Sequence, residues 1–312
     1  DVKFSRLVRD KLHDRAKAAG VCMILHTGYC SLPVDFCAWY MVKYLREKYN
    51  VPTRRITAFD RTAGFVLSGT NYVQGQTFGG ENTKGWDMFL LGGVRPGGVR
   101  EEDQDPNRPV SQELTGIWGI QAAVADRIIV RGTCGLMEGI EPYGKNFHYS
   151  NWVPFPDEDS AAQAIMMTRF VNPKSLERLA QGKKIPPVGS GPGERMRQEC
   201  YCTRVTVAEA DEKRAKPRQA YCMMNAGPGG FGDRYEGTAA MSIEAACAIL
   251  DAEDNGHAES LRKGWGTPVY HLAHLGFWER LIARGASFRI SDGPPSPDLF
   301  KNMLTAAMPI QC

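Results

Sequence analysis

Between residues 3 and 19, Phe4, Leu7, Val8, Leu12 and Ala16 recur at helical spacing among charged neighbours, a pattern that predicts an amphipathic helix. Gly20 follows as a C-cap residue. Residues 21–26 are then a short, nearly continuous apolar run, the pattern of a strand buried on both faces of a parallel sheet. Residues 27–32 read as a tight loop, and Pro33 suits the first turn of a second helix. That helix continues to residue 49 on Phe36, Trp39, Tyr40, Val42 and Leu45. Helix, glycine and buried strand in that order are half of a βαβ repeat. The chain starts in mid-repeat and without methionine, which suggests a processed chain or a fragment.

Further on, residues 56–67 read as a strand with a turn at Gly64, and residues 69–109 as an irregular excursion rich in glycine, proline and charge. The stretch AAVADRIIVR at 122–131 has strand character in its second half. Residues 142–158 are aromatic and proline-rich, and Ser160 is placed to cap a helix reaching Phe170. Residues 183–193 read as a linker. Residues 200–208 and 219–226 alternate apolar and polar positions about a charged turn, which argues for an antiparallel hairpin. A glycine-rich loop at 227–235 precedes an apolar helix over 237–251, built on Ala240, Met241, Ala245, Ile249 and Leu250. A last helix over 275–284 and a strand over 287–290 follow; beyond residue 291 only 299–308 carries a pattern. No internal repeat is found. Together these elements predict an α/β fold, the remnant of a doubly wound parallel sheet joined to a larger mixed-sheet α/β domain.

Composition narrows the classes. Hydrophobic residues are 43% and charged residues 23%, as in a soluble globular protein. A net charge of +3 is too small and scattered to imply nucleic acid or an anionic membrane. Lys183 and Lys184, and Lys213, Arg214, Lys216 and Arg218, read as solvated turns. No apolar run approaches the ~20 residues that cross a bilayer, and the charged start is no signal peptide. Nine cysteines, an odd number set mostly in apolar runs, point to reduced thiols in the cytoplasm. Cys200 and Cys202 at strand spacing make poor zinc geometry, so no metal site is expected.

Three stretches carry a family resemblance. His13 to Val21, leading through Leu25-His26-Thr27-Gly28-Tyr29-Cys30-Ser31-Leu32-Pro33-Val34-Asp35, looks like the helix, strand and GFDSxPxD loop of saccharopine-dehydrogenase-like oxidoreductases, the family that includes trans-acting enoyl reductases. Leu67-Ser68-Gly69-Thr70 is similar to that family's SGGT segment. Gly229-Gly230-Phe231-Gly232-Asp233-Arg234-Tyr235-Glu236-Gly237-Thr238-Ala239-Ala240-Met241, then Gly266-Thr267-Pro268 and residues 281–288, resemble its GYGxTAxM helix, GxxTP turn and RLxxxGxxF ending. The set spans residues 1–290. Two departures stand out. The GxxGxxG turn of the family's Rossmann half has no counterpart, since Gly227 to Gly232 follow a hairpin rather than a first parallel strand. Cys30 and Tyr29 replace the loop aspartate and phenylalanine.

The resemblance implies NAD(P)H-dependent reduction of an enoyl or imine-type carbon, with NADP or NAD as cofactor and a small apolar, lipid- or polyketide-like molecule as substrate. It assigns residues 1–50 to the tail of a Rossmann-like domain, 51–226 to a mixed-sheet substrate domain and 227–290 to helices and a strand returning to the first part, with 291–312 a tail. Gly28, Ser31, Pro33, Gly69 and Thr70 would then lie on the cofactor. Ligands of a doubly wound sheet sit beyond the carboxyl ends of its strands, so the peptide 25–35 is expected to floor a cleft. Gly28 would let the backbone approach a flat ring; Ser31 would donate a hydrogen bond or cap the helix. Asp35 is a catalytic carboxyl or a partner of the helix dipole. Tyr29 is the expected proton donor, or an aromatic lid. Cys30 reads as a small buried filler, or as a nucleophile activated by the helix N-terminus. His26, ending the strand, needs a hydrogen-bond partner. His148, amid Tyr143, Phe147, Tyr149 and Trp152, is a pocket residue or core. Rival readings are a cofactor-free cyclase or isomerase on the same scaffold, and a non-catalytic subunit that joins a homo-oligomer or the missing Rossmann half.

Overall fold

The computed structural model describes residues 2–63, 69, 87–93, 108–112, 114–122, 124–169, 187–190, 201–226 and 234–305. Thr70, the turn at Gly64 and the glycine-rich residues 227–233 lie outside that set, as do most of the linker 183–193 and the end of the strand expected to residue 67. Gly69 is a buried residue described alone, without its neighbours.

Helix α1 (Val2–Ala18) ends at Gly20, whose φ of +69° needs no side chain to yield. Strand β1 (Cys22–Ile24) follows, and helix α2 (Ser31–Tyr49) starts at the expected loop. β1 is partly buried rather than fully so, because it pairs with one short strand, β8 (Gly264–Gly266), in parallel. The larger sheet holds β2 (Thr53–Ala63), β3 (Val110–Ser111), β4 (Trp118–Gln121), β5 (His148–Phe155), β6 (Tyr201–Ala210), β7 (Gln219–Ala226) and β9 (Ser287–Asp292). Its order is β3-β4-β5-β2-β6-β7-β9, antiparallel throughout except between β2 and β5. The fold is therefore α/β, a short parallel pair beside a larger mixed sheet, as the pattern predicts.

The stretch 122–131 is not a strand: helix α3 (Val124–Leu136) occupies it. Ile128 and Ile129 pack toward β8 while Val130 packs on the large sheet. A helix buried on opposite sides loses its polar face, and a β-branched run then imitates a strand. Helix α4 (Glu158–Arg169) is capped by Asp157, whose Oδ1 accepts the Ser160 N–H at 2.7 Å, so Ser160 is not the cap. The hairpin of β6 and β7 forms where expected. Helices α5 (Arg234–Asp254), α6 (Pro268–Leu272), α7 (Phe277–Ala283) and α8 (Pro297–Thr305) complete the described elements.

One face of the large sheet packs under α2, α5, α6 and α7 through Ile56, Ala58, Tyr149, Ala208, Cys222 and Met224. The other, with Phe59, Trp152, Val205 and Val207, packs on Phe300 and Met303 of α8. Toward the carboxyl end of β2 the first face turns polar. Two-residue alternation carries Ile56 and Ala58 on to Asp60, and the antiparallel register sets Arg204 of β6 directly opposite Asp60.

Candidate functional site

That polar end lies beneath the loop that joins β1 to α2. Asp60 and Arg204 form an ion pair there, their side chains 14% and 7% exposed. Asp126, in the first turn of α3, reaches the same place. Ser31 Oγ donates to Asp126 Oδ1 at 3.3 Å, and Asn151 Nδ2 donates to Asp126 Oδ2 at 3.3 Å. Burial pushes the Asp126 carboxyl up to about 7, with Asp60 adding to the rise and Arg204, Ser31 and Arg127 opposing it. Burial works against the Arg204 charge too, but Asp60 holds the guanidinium ionised. The Tyr149 hydroxyl is buried among these groups without a hydrogen-bond partner. A buried donor left unpaired is costly, so the cluster has capacity for one more polar atom.

Of the sequence-predicted residues, Tyr29 and Ser31 belong to this cluster. Tyr29 is buried, its hydroxyl against the Cys202 thiol; burial drives the phenol well above its usual value, with Cys202 adding and Arg204 opposing. Ser31 does not cap α2. The N-cap position falls on Cys30, which makes no side-chain cap and is exposed rather than a buried filler. Asp35 lies past the first turn of α2 and serves another helix: its Oδ2 accepts the Val269 N–H of α6 at 3.0 Å. Burial pushes Asp35 up to about 7, against the Thr133 hydroxyl and the Val269 N–H. Pro33 is buried within α2. His148 opens β5 on the Trp152 face, one position out of phase with Tyr149, and so stands apart from the cluster. His26 has φ +65° and meets Ser5 Oγ through Nε2; burial lowers its imidazole to about 4. Asp60, Asp126, Asn151, Cys202 and Arg204 escaped the sequence reading. The available signal was a lone charge at an inward position of an apolar alternation.

The polar groups of the loop are engaged within the chain. The Thr27 and Ser242 hydroxyls hydrogen-bond at 3.2 Å, the Tyr29 N–H donates to Thr238 Oγ1 at 3.0 Å, and Ser31 is engaged by Asp126. A Cβ added to Gly28 would meet the Thr238 methyl at 3.5 Å, an ordinary contact, so this glycine holds open no close approach. A cavity of about 420 Å³ lies elsewhere, bordered by Arg9, His13, Leu91, Gly93, Glu138 and Trp265. No residue of the 25–35 peptide lines it.

What fold and site define is an α/β protein with a buried acid–base cluster at the carboxyl end of a central strand. Compared with protein-family models and with curated proteins, the chain gives no match. Among the described residues no helix is long and apolar enough to cross a membrane.

Proposed function

We propose that the chain is an enzyme of the saccharopine-dehydrogenase-like kind, reducing an enoyl or imine-type bond of a small apolar molecule, and that protonated Asp126 gives its proton to Ser31 Oγ while the Ser31 hydroxyl turns from Asp126 and gives its own proton to the substrate. One observation carries this reading: two of the three stretches that bear the resemblance, the first and the last, meet at one place. The 27–35 loop is held by Thr238 and Ser242 of the TAxM helix, and Asp35 by Val269 just after the Gly-Thr-Pro turn. β1 pairs with β8 so that Ile24 stands opposite Gly266. Residues more than two hundred positions apart in sequence have no local reason to converge there.

A general acid works best with a pKa near the operating pH. Asp126, at about 7 and 5% exposed, meets that condition, and the partly exposed Ser31 hydroxyl extends it toward solvent. Reduction also needs a hydride donor. The resemblance names NADP or NAD for that part, and the role of Asp126 and Ser31 is to supply the proton. The decisive experiment titrates the purified chain with NADPH and NADH, then adds a panel of α,β-unsaturated thioesters and ketones. Acceptor-dependent cofactor oxidation is expected, falling as pH rises through about 7 and lost in Asp126→Asn. No binding together with no oxidation overturns the reductase.

A carboxyl poised near neutrality takes a proton as readily as it gives one, and this observation favours a second reading, a cofactor-free isomerase or cyclase. Turnover of the same panel without nucleotide, abolished by Asp126→Asn, would select it.

A further inference from the structure

Helix α5 has its polarity inverted. From residue 237 to 250 its exposed positions are Ala239, Ile243, Ala246 and Leu250, with Ile243 at 57% and Leu250 at 55%. The one charged residue in that stretch, Glu244, is buried: Arg280 Nε donates to its Oε2 at 2.7 Å and Arg284 pairs with its other oxygen. A helix face that stays in water carries polar groups at these spacings; this one carries methyls and branched chains. Steps of four, three and four residues are those of a coiled-coil seam.

We propose that this stripe docks on the same stripe of a second copy of the chain, the two α5 helices antiparallel about a two-fold axis. The sequence of the stripe is self-complementary under that operation. An axis passing between Glu244 and Ala245 sets Ala239 against the partner's Leu250 and Ile243 against the partner's Ala246. Every small residue meets a large one, so the seam fills at close helix separation. A parallel pairing would set alanine on alanine, leaving gaps, and isoleucine on isoleucine. Antiparallel helices also oppose their dipoles favourably, and a two-fold contact closes on itself instead of growing into a fibre. The seam spans about 16 Å at 1.5 Å per residue; the same two-fold brings the exposed Glu236 level with the partner's Glu253 at each end, a like-charge approach that added salt would screen. Because Thr238 and Ser242 of α5 hold the 27–29 loop, pairing would brace the candidate site from behind.

Sedimentation equilibrium over a micromolar concentration range tests this. The chain is expected to show a reversible monomer–dimer equilibrium. Ile243→Glu and Leu250→Glu, both at exposed positions that leave the fold intact, should each raise the dissociation constant at least tenfold, about 1.4 kcal/mol. Met166→Glu, equally exposed at 58% but on α4, should leave it unchanged. Ile243→Ala and Ala246→Ile should each weaken the dimer, and the double exchange should restore it, because large again faces small. A monomer at every concentration overturns the proposal. So does a dimer that survives both glutamate variants, or an exchange that restores nothing.

Discussion

Asp35 and Asp126 show how one residue type takes different roles through its surroundings. Both are buried and pushed to about 7, but Asp126 opens toward Ser31 whereas Asp35 is enclosed between α2 and α6. A carboxyl whose folded pKa lies above its unfolded 3.8 favours the folded state in its protonated form. That contribution is fully present below pH 3.8 and is lost as pH rises toward and through 7. The change is on the order of 4 kcal/mol at 1.36 kcal/mol per unit. Asp35→Asn keeps an oxygen for the Val269 N–H and removes the ionisation. Urea unfolding is therefore expected to show the variant gaining stability relative to the parent as pH goes from 5 to 8. A difference that stays constant across that range would show that Asp35 does not titrate with folding. Neither role was legible from sequence. Asp35 reads as a catalytic carboxyl or a first-turn dipole partner because Val269 lies 234 positions away, and Asp126 stands just ahead of the apparent strand with nothing local to mark its partners.

Elements were read well where one face was wet. α1 and α2 keep a periodic polar side and appear where the pattern puts them; the β6–β7 hairpin was legible from its alternation and charged turn instead, since β6 is buried on both faces. α3 failed because it is buried between the large sheet and the α1–β8 layer. Its glycines carried the helical signal instead. Gly132 and Gly135 sit one turn apart, facing the 91–93 segment. A Cβ at Gly135 would stand 2.6 Å from the Gly93 nitrogen, and one at Gly93 would stand 2.4 Å from the Arg131 carbonyl oxygen, at a φ of +109°. Backbone cannot yield as a flexible side chain does. Gly135→Ala is expected to cost about 1–3 kcal/mol in overpacking, measured by urea unfolding. Gly139→Ala, where an added Cβ meets nothing within 4 Å, should change stability by less than about 0.5 kcal/mol. Equal effects at both positions would mean that the 91–93 segment does not pack on α3.

At the scale of the molecule, α3 decides whether the short parallel pair and the large sheet are separable. Val130 and Cys134 belong to the core under α2 and α5, while Ile128 and Ile129 belong to the cluster with Trp265 of β8. The Thr133 hydroxyl donates to Thr267 Oγ1 at 2.6 Å, joining the same helix to the turn before α6. Asp35 ties α2 of the large core to α6, which directly follows β8. The short parallel pair and the large sheet are therefore tied by two hydrogen bonds and a shared helix, the Asp35–Val269 bond also spanning residue 50. Separate unfolding would strip apolar surface from α3 on one side at a time, at about 25 cal/mol per Å² exposed, and would leave the Asp35 and Thr133 partners unpaired. The expected outcome is a single cooperative transition. Trp265 of β8 and Trp152 of β5, each fully buried in its own cluster, report the two layers. For each of Trp265→Phe and Trp152→Phe, the urea curve followed by fluorescence and the one followed by circular dichroism should then share one midpoint. If the β8 signal is lost at lower urea than the β5 signal, the two layers unfold independently, and the hydrogen bonds that cross α3 are too weak to couple them.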